Sequence, residues 1–264
     1  MVNRETKRLG CEFFQTDAQT STSTDFVATN NEIVKKSAQV LTQRLGYKIS
    51  QEQLALGIQK NLPCRGEETP RNLLIKFQKK LLSRNQKSFP EGKLVFNLAI
   101  FDVCHNFQGL DSSLRKIQAR LGSDVKINFL ISMKKGKAIK ELRPLLEQNI
   151  IGKILPIKSE SDFSMSAEDL RNSLMETSAG IADKVRFVDG GDVEKVLEYL
   201  YLNAVDSSGL KGDGHAANEC LLVGGSFYIM AQVRKHFGFP IGNYDEGEMK
   251  ICSPQESQFI NLKV

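Results

Sequence analysis

Residues 100–110, IFDVCHNFQGL, place an aspartate, a cysteine, a histidine and an asparagine within five positions, directly after an apolar run. Three chemistries are open to Asp102, Cys104 and His105. A thiolate beside an imidazole would be a nucleophile with its base, a histidine would be one ligand of a metal, and an aspartate at a strand end would accept hydrogen bonds from a ligand. Neighbours on an extended chain point to opposite sides, so Cys104 and His105 make a poor catalytic pair and Cys104 reads as a small apolar packing group. A metal needs further ligands, and neither His215 nor His236 stands at ligand spacing, so no metal site is expected. Asp102 is left with two readings, a cap on the next helix or an acceptor for a ribose.

Two other stretches carry comparable chemistry. In GGSFY, Gly224 and Gly225 precede Ser226. They allow backbone amides to cradle a carboxylate or phosphate, or equally a close packing turn between strand and helix. In MKKGK, Lys134, Lys135 and Lys137 form either a solvated basic loop or, at the mouth of a site, positive charge for phosphate.

These residues need a scaffold, and the apolar pattern supplies one. Ile33, Val34, Ala38, Leu41 and Leu45 predict a helix over 31–45 ended at Gly46, and Ser50 with Gln53 forms a capping-box pattern ahead of a second helix that stops at Pro63. The charged segment 71–93 takes no assignment. Beyond it, LVFNLAIFDV, VKINFLI, IIGKILPI, KVRFV and CLLVG read as five strands. Helices follow them, carrying Leu110, Leu114, Ile117 and Leu121, a stretch at 138–148 that includes Pro144, a segment opened by Ser166 and Asp169, then Val193, Leu197, Leu200 and Ala204, and finally Phe227, Met230, Val233 and Phe237. Such alternation predicts an α/β fold, a doubly wound and mainly parallel sheet preceded by a short helical segment. Ligands of such sheets sit outside the carboxyl ends of the strands, where Asp102, Lys134 and Ser226 all fall. The polar stretch 15–25 reads as a linker, and the residues before it suit the end of an earlier unit.

At 264 residues and 41% hydrophobic content the chain can bury a sizeable core. Its net charge of +5 comes with no basic run interleaved with aromatics, so nucleic acid is not an expected partner. The five cysteines show no paired spacing, which predicts no disulfide framework and a reducing compartment. No segment approaches a membrane span, and the expected location is cytoplasmic.

LPCRGEE, IFDVCHNFQGL, ISMKKGKAIKEL and LLVGGSFYIMAQVR occur in the order and rough spacing of motifs in the C-terminal part of folylpolyglutamate and dihydrofolate synthases, of the Mur ligase superfamily. Residues 25–238 resemble that family, whose stretches look like L-P-G-R-(F)-E, (L)-D-x-A-H-N-P, L/M-x-D-K-D and V-x-T-G-S-(L/F)-Y. The resemblance implies a Rossmann-like Mur ligase C-terminal, glutamate-binding domain over 67–264. Residues 1–66 would then be the remnant of a central domain and a helical connecting segment.

The implied activity is ATP-dependent addition of L-glutamate to a folate or dihydropteroate through an acyl phosphate. By that resemblance Arg65 and Asp102 would contact ATP and His105 and Ser226 the glutamate, while the strand-end reading of the residues themselves has Lys134 and Lys137 facing phosphate. The family's P-loop is not found in the sequence, so ATP and Mg2+ would be held mainly by a missing domain, and the chain would be a fragment of a longer synthase, a C-terminal half that works with a separate P-loop ATPase half, or a degenerate relative. No residue here is assigned a catalytic role. Cys64 stands where the family has glycine, Cys104 where it has alanine, and the D-K-D acids are absent. Two rival readings are a non-catalytic Rossmann-like module that docks on a separate ATPase subunit, and a small hydrolase using Cys104.

Overall fold

In the computed structural model the described residues are 26–59, 64–86, 94–137, 139–208 and 218–239. The expected linker at 15–25, Pro63, Ala138, His215 and the tail past 239 lie outside them. Contacts divide the chain at the junction of Pro63 and Cys64 into two units.

The first unit is a pair of helices, α1 (Phe26–Leu45) and α2 (Gln51–Gln59). The capping box is present in both directions. Gln53 N donates to Ser50 Oγ at 3.0 Å, and Ser50 N donates to the Gln53 side-chain oxygen at 2.9 Å. This satisfies two amides that helix geometry leaves without partners. Of the apolar face expected on α1, Ala38 is buried while Ile33 and Val34 are exposed.

The second unit is a five-stranded sheet between two helical layers. Its strands are β1 (Arg65–Glu68), β2 (Leu98–Asp102), β3 (Lys126–Ile131), β4 (Ile151–Pro156) and β5 (Glu219–Gly224), in the order β1-β2-β5-β3-β4. All neighbouring pairs are parallel except β1 with β2. Both sheet faces are covered, so the parallel strands read as continuous apolar runs.

One face packs on α3 (Arg71–Arg84), α8 (Val193–Ser208) and α9 (Met230–Phe237), through Phe77, Leu197, Tyr201 and Phe237 against Phe101 and Val223. The other packs on α4 (Phe107–Leu121), α5 (Arg143–Leu146), α6 (Ala167–Met175) and α7 (Ala179–Ala182), through Leu114, Leu146, Leu170 and Ile181 against Ile127 and Phe129. Each large side chain so buried contributes about 1.5–3 kcal/mol relative to exposure.

Two expectations are corrected and one unassigned segment is filled. KVRFV is not a full strand: only Val185 bridges to Ile154, flanked by hydrogen bonds from Ile154 N to Lys184 O and from Arg186 N to Ile154 O. The helix expected over 138–148 is a 310 turn at Ile139–Leu142 leading into the short α5, with Pro144 in its first turn, where a missing N–H costs nothing. The unassigned segment 71–93 contains α3, which buries Leu74, Phe77, Gln78, Leu81 and Leu82 at helical spacing.

Candidate functional site at the carboxyl edge of the sheet

Strands β2 and β5 are neighbours, but the chain leaves them towards opposite faces. After β2 it enters α4 on one side, and after β5 it enters α9 on the other. The crevice opened by such a divergence is where doubly wound sheets take ligands. In register, Asp102 lies opposite Gly224, and Gly224 lies opposite Ile131 of β3. The loops bearing His105, Ser226 and Lys134 therefore start from one edge.

Asp102 is the centre of this edge. On one side it faces Arg65 across the antiparallel β1–β2 pair. On the other, the Ser113 hydroxyl, two turns into α4, donates to its Oδ2 at 2.6 Å. Burial pushes the Asp102 carboxyl up from its ordinary range, against the Ser113 hydrogen bond and the charges of Lys116 and Arg65, which hold it down. Arg65 itself is exposed. A bulge between Arg65 and Glu67 separates these two side chains, so that Glu67 turns to α9 while Arg65 stays opposite Asp102.

The rest of the opening motif divides its duties. Past Asp102 the chain makes two successive three-residue turns, with Cys104 N donating to Asp102 O at 2.7 Å and His105 N to Val103 O at 3.2 Å. Cys104 is buried, and burial pushes its thiol up to about 12, so almost no thiolate exists at neutral pH. This is the environment of a packing group. His105 is half-buried, its Nδ1 3.3 Å from the Val103 carbonyl oxygen. Asn106 caps α4, its Oδ1 accepting from Gly109 N at 2.8 Å.

At β5 the structure shows why glycines are needed. A β-carbon on Gly224 would lie 2.6 Å from Cys104 Sγ, and one on Gly225, at φ 94°, would collide with the Ser132 carbonyl oxygen. The pair therefore serves close packing of the three strand ends. Ser226 is buried and caps the turn that follows, its Oγ accepting from Tyr228 N at 3.3 Å. Lys134 and Lys137 are exposed in the loop after β3, which is tied down by a bridge from Lys134 to Ser164 and by Lys135 N donating to Phe163 O at 2.9 Å.

Sequence reasoning did not single out Ser113, Glu67 or Arg234. Glu67 and Arg234 stand inside the quoted motifs LPCRGEE and LLVGGSFYIMAQVR, and their pairing across 167 positions is a tertiary fact. A cavity of about 470 Å3 lies elsewhere, in the helical unit, lined by Lys35, Ala38, Thr42, Leu54 and Ile58. It holds none of the chemistry above, and the strand-end crevice is the better candidate on residue types.

Among the described residues no group of three or more histidines, cysteines or acids is placed to hold a metal ion, and no helix is long and apolar enough to cross a membrane. No family model and no curated protein matches the sequence. Among solved structures the chain is similar to the folylpolyglutamate synthase of Mycobacterium tuberculosis complexed with ADP and AMPPCP, at 17% identity and a TM-score of 0.52, over 81% of this chain and 40% of that one. The ADP complex of folylpolyglutamate synthase from the same organism gives 16% identity and a TM-score of 0.50, over 76% and 38%. The chain thus spans about 40% of the length of these structures. At such identities the likeness shows the fold alone, a mostly parallel α/β sheet covered by helices on both faces.

Proposed function

We propose that this chain is the glutamate-binding part of an ATP-dependent ligase that extends a folate or dihydropteroate with L-glutamate. The observation that carries the reading is the opposition of Arg65, Asp102 and Gly224 at a crevice where the chain leaves adjacent strands towards opposite faces of the sheet. A cation and a half-buried acceptor there fit part of a nucleotide, while the donors do not fit magnesium. The metal and the triphosphate would be held chiefly by a P-loop unit, whose lysine and hydroxyl do this work in nucleotide-hydrolysing folds and whose motif the sequence does not contain.

When bound, ATP supplies the phosphoryl group that activates the pterin substrate's carboxylate for attack by the amine of glutamate. Arg65 offers a guanidinium to phosphate oxygens, and Asp102 accepts from nucleotide hydroxyls while Ser113 fixes its orientation. His105 and the turn at Ser226 would line the glutamate side, and Lys134 and Lys137 would add positive charge at the mouth. The fold-level likeness and the motif resemblance support this assignment. A chain with these residues alone would bind nucleotide without hydrolysing it, because phosphoryl transfer depends on electrostatic stabilisation that the P-loop provides.

Calorimetric titration of the pure chain with MgATP tests the reading. The expected result is binding that weakens at least about tenfold in Arg65→Ala, since hydrogen bonds to charged groups are worth about 1.5–3 kcal/mol, with unchanged circular dichroism and no ADP released. ATP binding indifferent to Arg65 would contradict the site. Folate-dependent ADP release by the chain alone would contradict its incompleteness.

A further inference from the structure

Glu67 uses both carboxylate oxygens, and each ties down a different element. Oε2 accepts from Cys64 N at 3.0 Å, and Oε1 accepts from Arg234 Nη2 of α9 at 3.1 Å. Cys64 sits at φ 61°, in the left-handed region where a non-glycine residue is strained. Its carbonyl accepts from Val103 N at 3.0 Å, next to Asp102. Arg234 is packed as closely. Its guanidinium lies 4.6 Å from the Phe239 ring centroid, its Nε is buried without a hydrogen-bond partner, and its side chain is 16% exposed against 23% for Glu67. Phe239 in turn meets Phe101, the register partner of Glu67, edge to face at 5.5 Å.

A charge held this far from water, with one nitrogen unpaired, is costly unless its geometry does something else. β1 is an edge strand of four residues with a bulge: in the sheet it pairs with β2 alone, its far end is tied to α4 by the Glu68–Arg120 ion pair, and Glu67 ties the end that carries Arg65. We infer that Glu67 and Arg234 are positioning residues, a latch from α9 that fixes the strained Cys64 turn and thereby holds Arg65 across from Asp102. The inference rests on the proposed role of Arg65 at the nucleotide. It adds that the helix following the Ser226 turn sets the place of the Arg65 strand, so the two sides of the crevice are mechanically joined.

Two readouts on the full chain test it. The first is MgATP affinity of Glu67→Gln and Arg234→Gln, each alone and combined with Arg65→Ala. The latch predicts that either change weakens ATP about tenfold in the wild-type background, by loss of a charged hydrogen bond, and less than about twofold once Arg65 is gone. Equal losses in both backgrounds would show a merely structural role and overturn the inference. The second readout needs no nucleotide. Iodoacetamide labelling followed by mass spectrometry should find Cys64 alkylated several times faster in Glu67→Gln, while Cys104 and Cys220, buried elsewhere, keep their wild-type rates. Unchanged Cys64 labelling, or equal acceleration at all three cysteines, would overturn the latch. If the wild-type chain fails to bind ATP, the proposed function falls while the labelling still decides whether the pair holds β1.

Discussion

Asp102 is held half-buried, in a setting that disfavours its charge. Folding raises its carboxyl above the ordinary value of 3.8, so the stability it contributes is fully present below that value and is lost as pH rises through the folded value. At pH 7 the ionised group therefore works against the fold, a cost that a ligand-binding carboxylate can carry where a structural one has no reason to. Asp102→Asn removes the charge and keeps an oxygen for the Ser113 hydroxyl. We expect urea midpoints at pH 7 equal to or above wild type, an advantage that shrinks as pH falls towards 4, together with weakened ATP binding. An Asn variant less stable at pH 7 by more than about 1 kcal/mol would mean that the carboxylate is structural, since a lost net hydrogen bond costs that much.

At the scale of elements, the turn after β5 is the tightest constraint on the edge. Gly225 combines a positive φ with a carbonyl oxygen in the space a β-carbon would need. Gly225→Ala should cost about 2–5 kcal/mol, adding left-handed strain to overpacking. Gly136, at φ 79° in the exposed loop after β3 with nothing within 4 Å, provides the control. Gly136→Ala should cost only about 1 kcal/mol, the strain alone. Equal urea midpoints for the two variants would show that the close approach at Gly225 carries no energy.

The parallel strands were legible because burial on both faces writes apolar runs, and the caps at Ser50 and Ser166 because their hydrogen bonds are local. β1 was not legible: RGEE is polar, four residues long and paired only at an edge, so nothing in its own pattern marks it. α3 carried the helical period, with Gln78 in the stripe and lysines around it obscuring the signal. KVRFV has a strand's composition, yet the chain leaving α7 touches β4 at Val185 and then turns off through Asp189, at φ 43°. The site residues that the motifs named do lie along one edge. Ser113, two helical turns into α4, and the Glu67–Arg234 pair arise from tertiary packing that no local pattern records.

For the whole molecule, the central claim is that ligand meets this chain at the carboxyl ends of β2 and β5, although the sizeable cavity lies in the helical unit. Amide chemical shifts of the labelled chain, recorded while MgATP is added, locate binding residue by residue without requiring turnover. The account predicts perturbations concentrated at Cys64 to Glu67, Asp102 to Asn106, Ser113 and Gly224 to Ser226. Perturbations confined to residues around Ala38, Thr42 and Leu54, or none at saturating nucleotide, would contradict it.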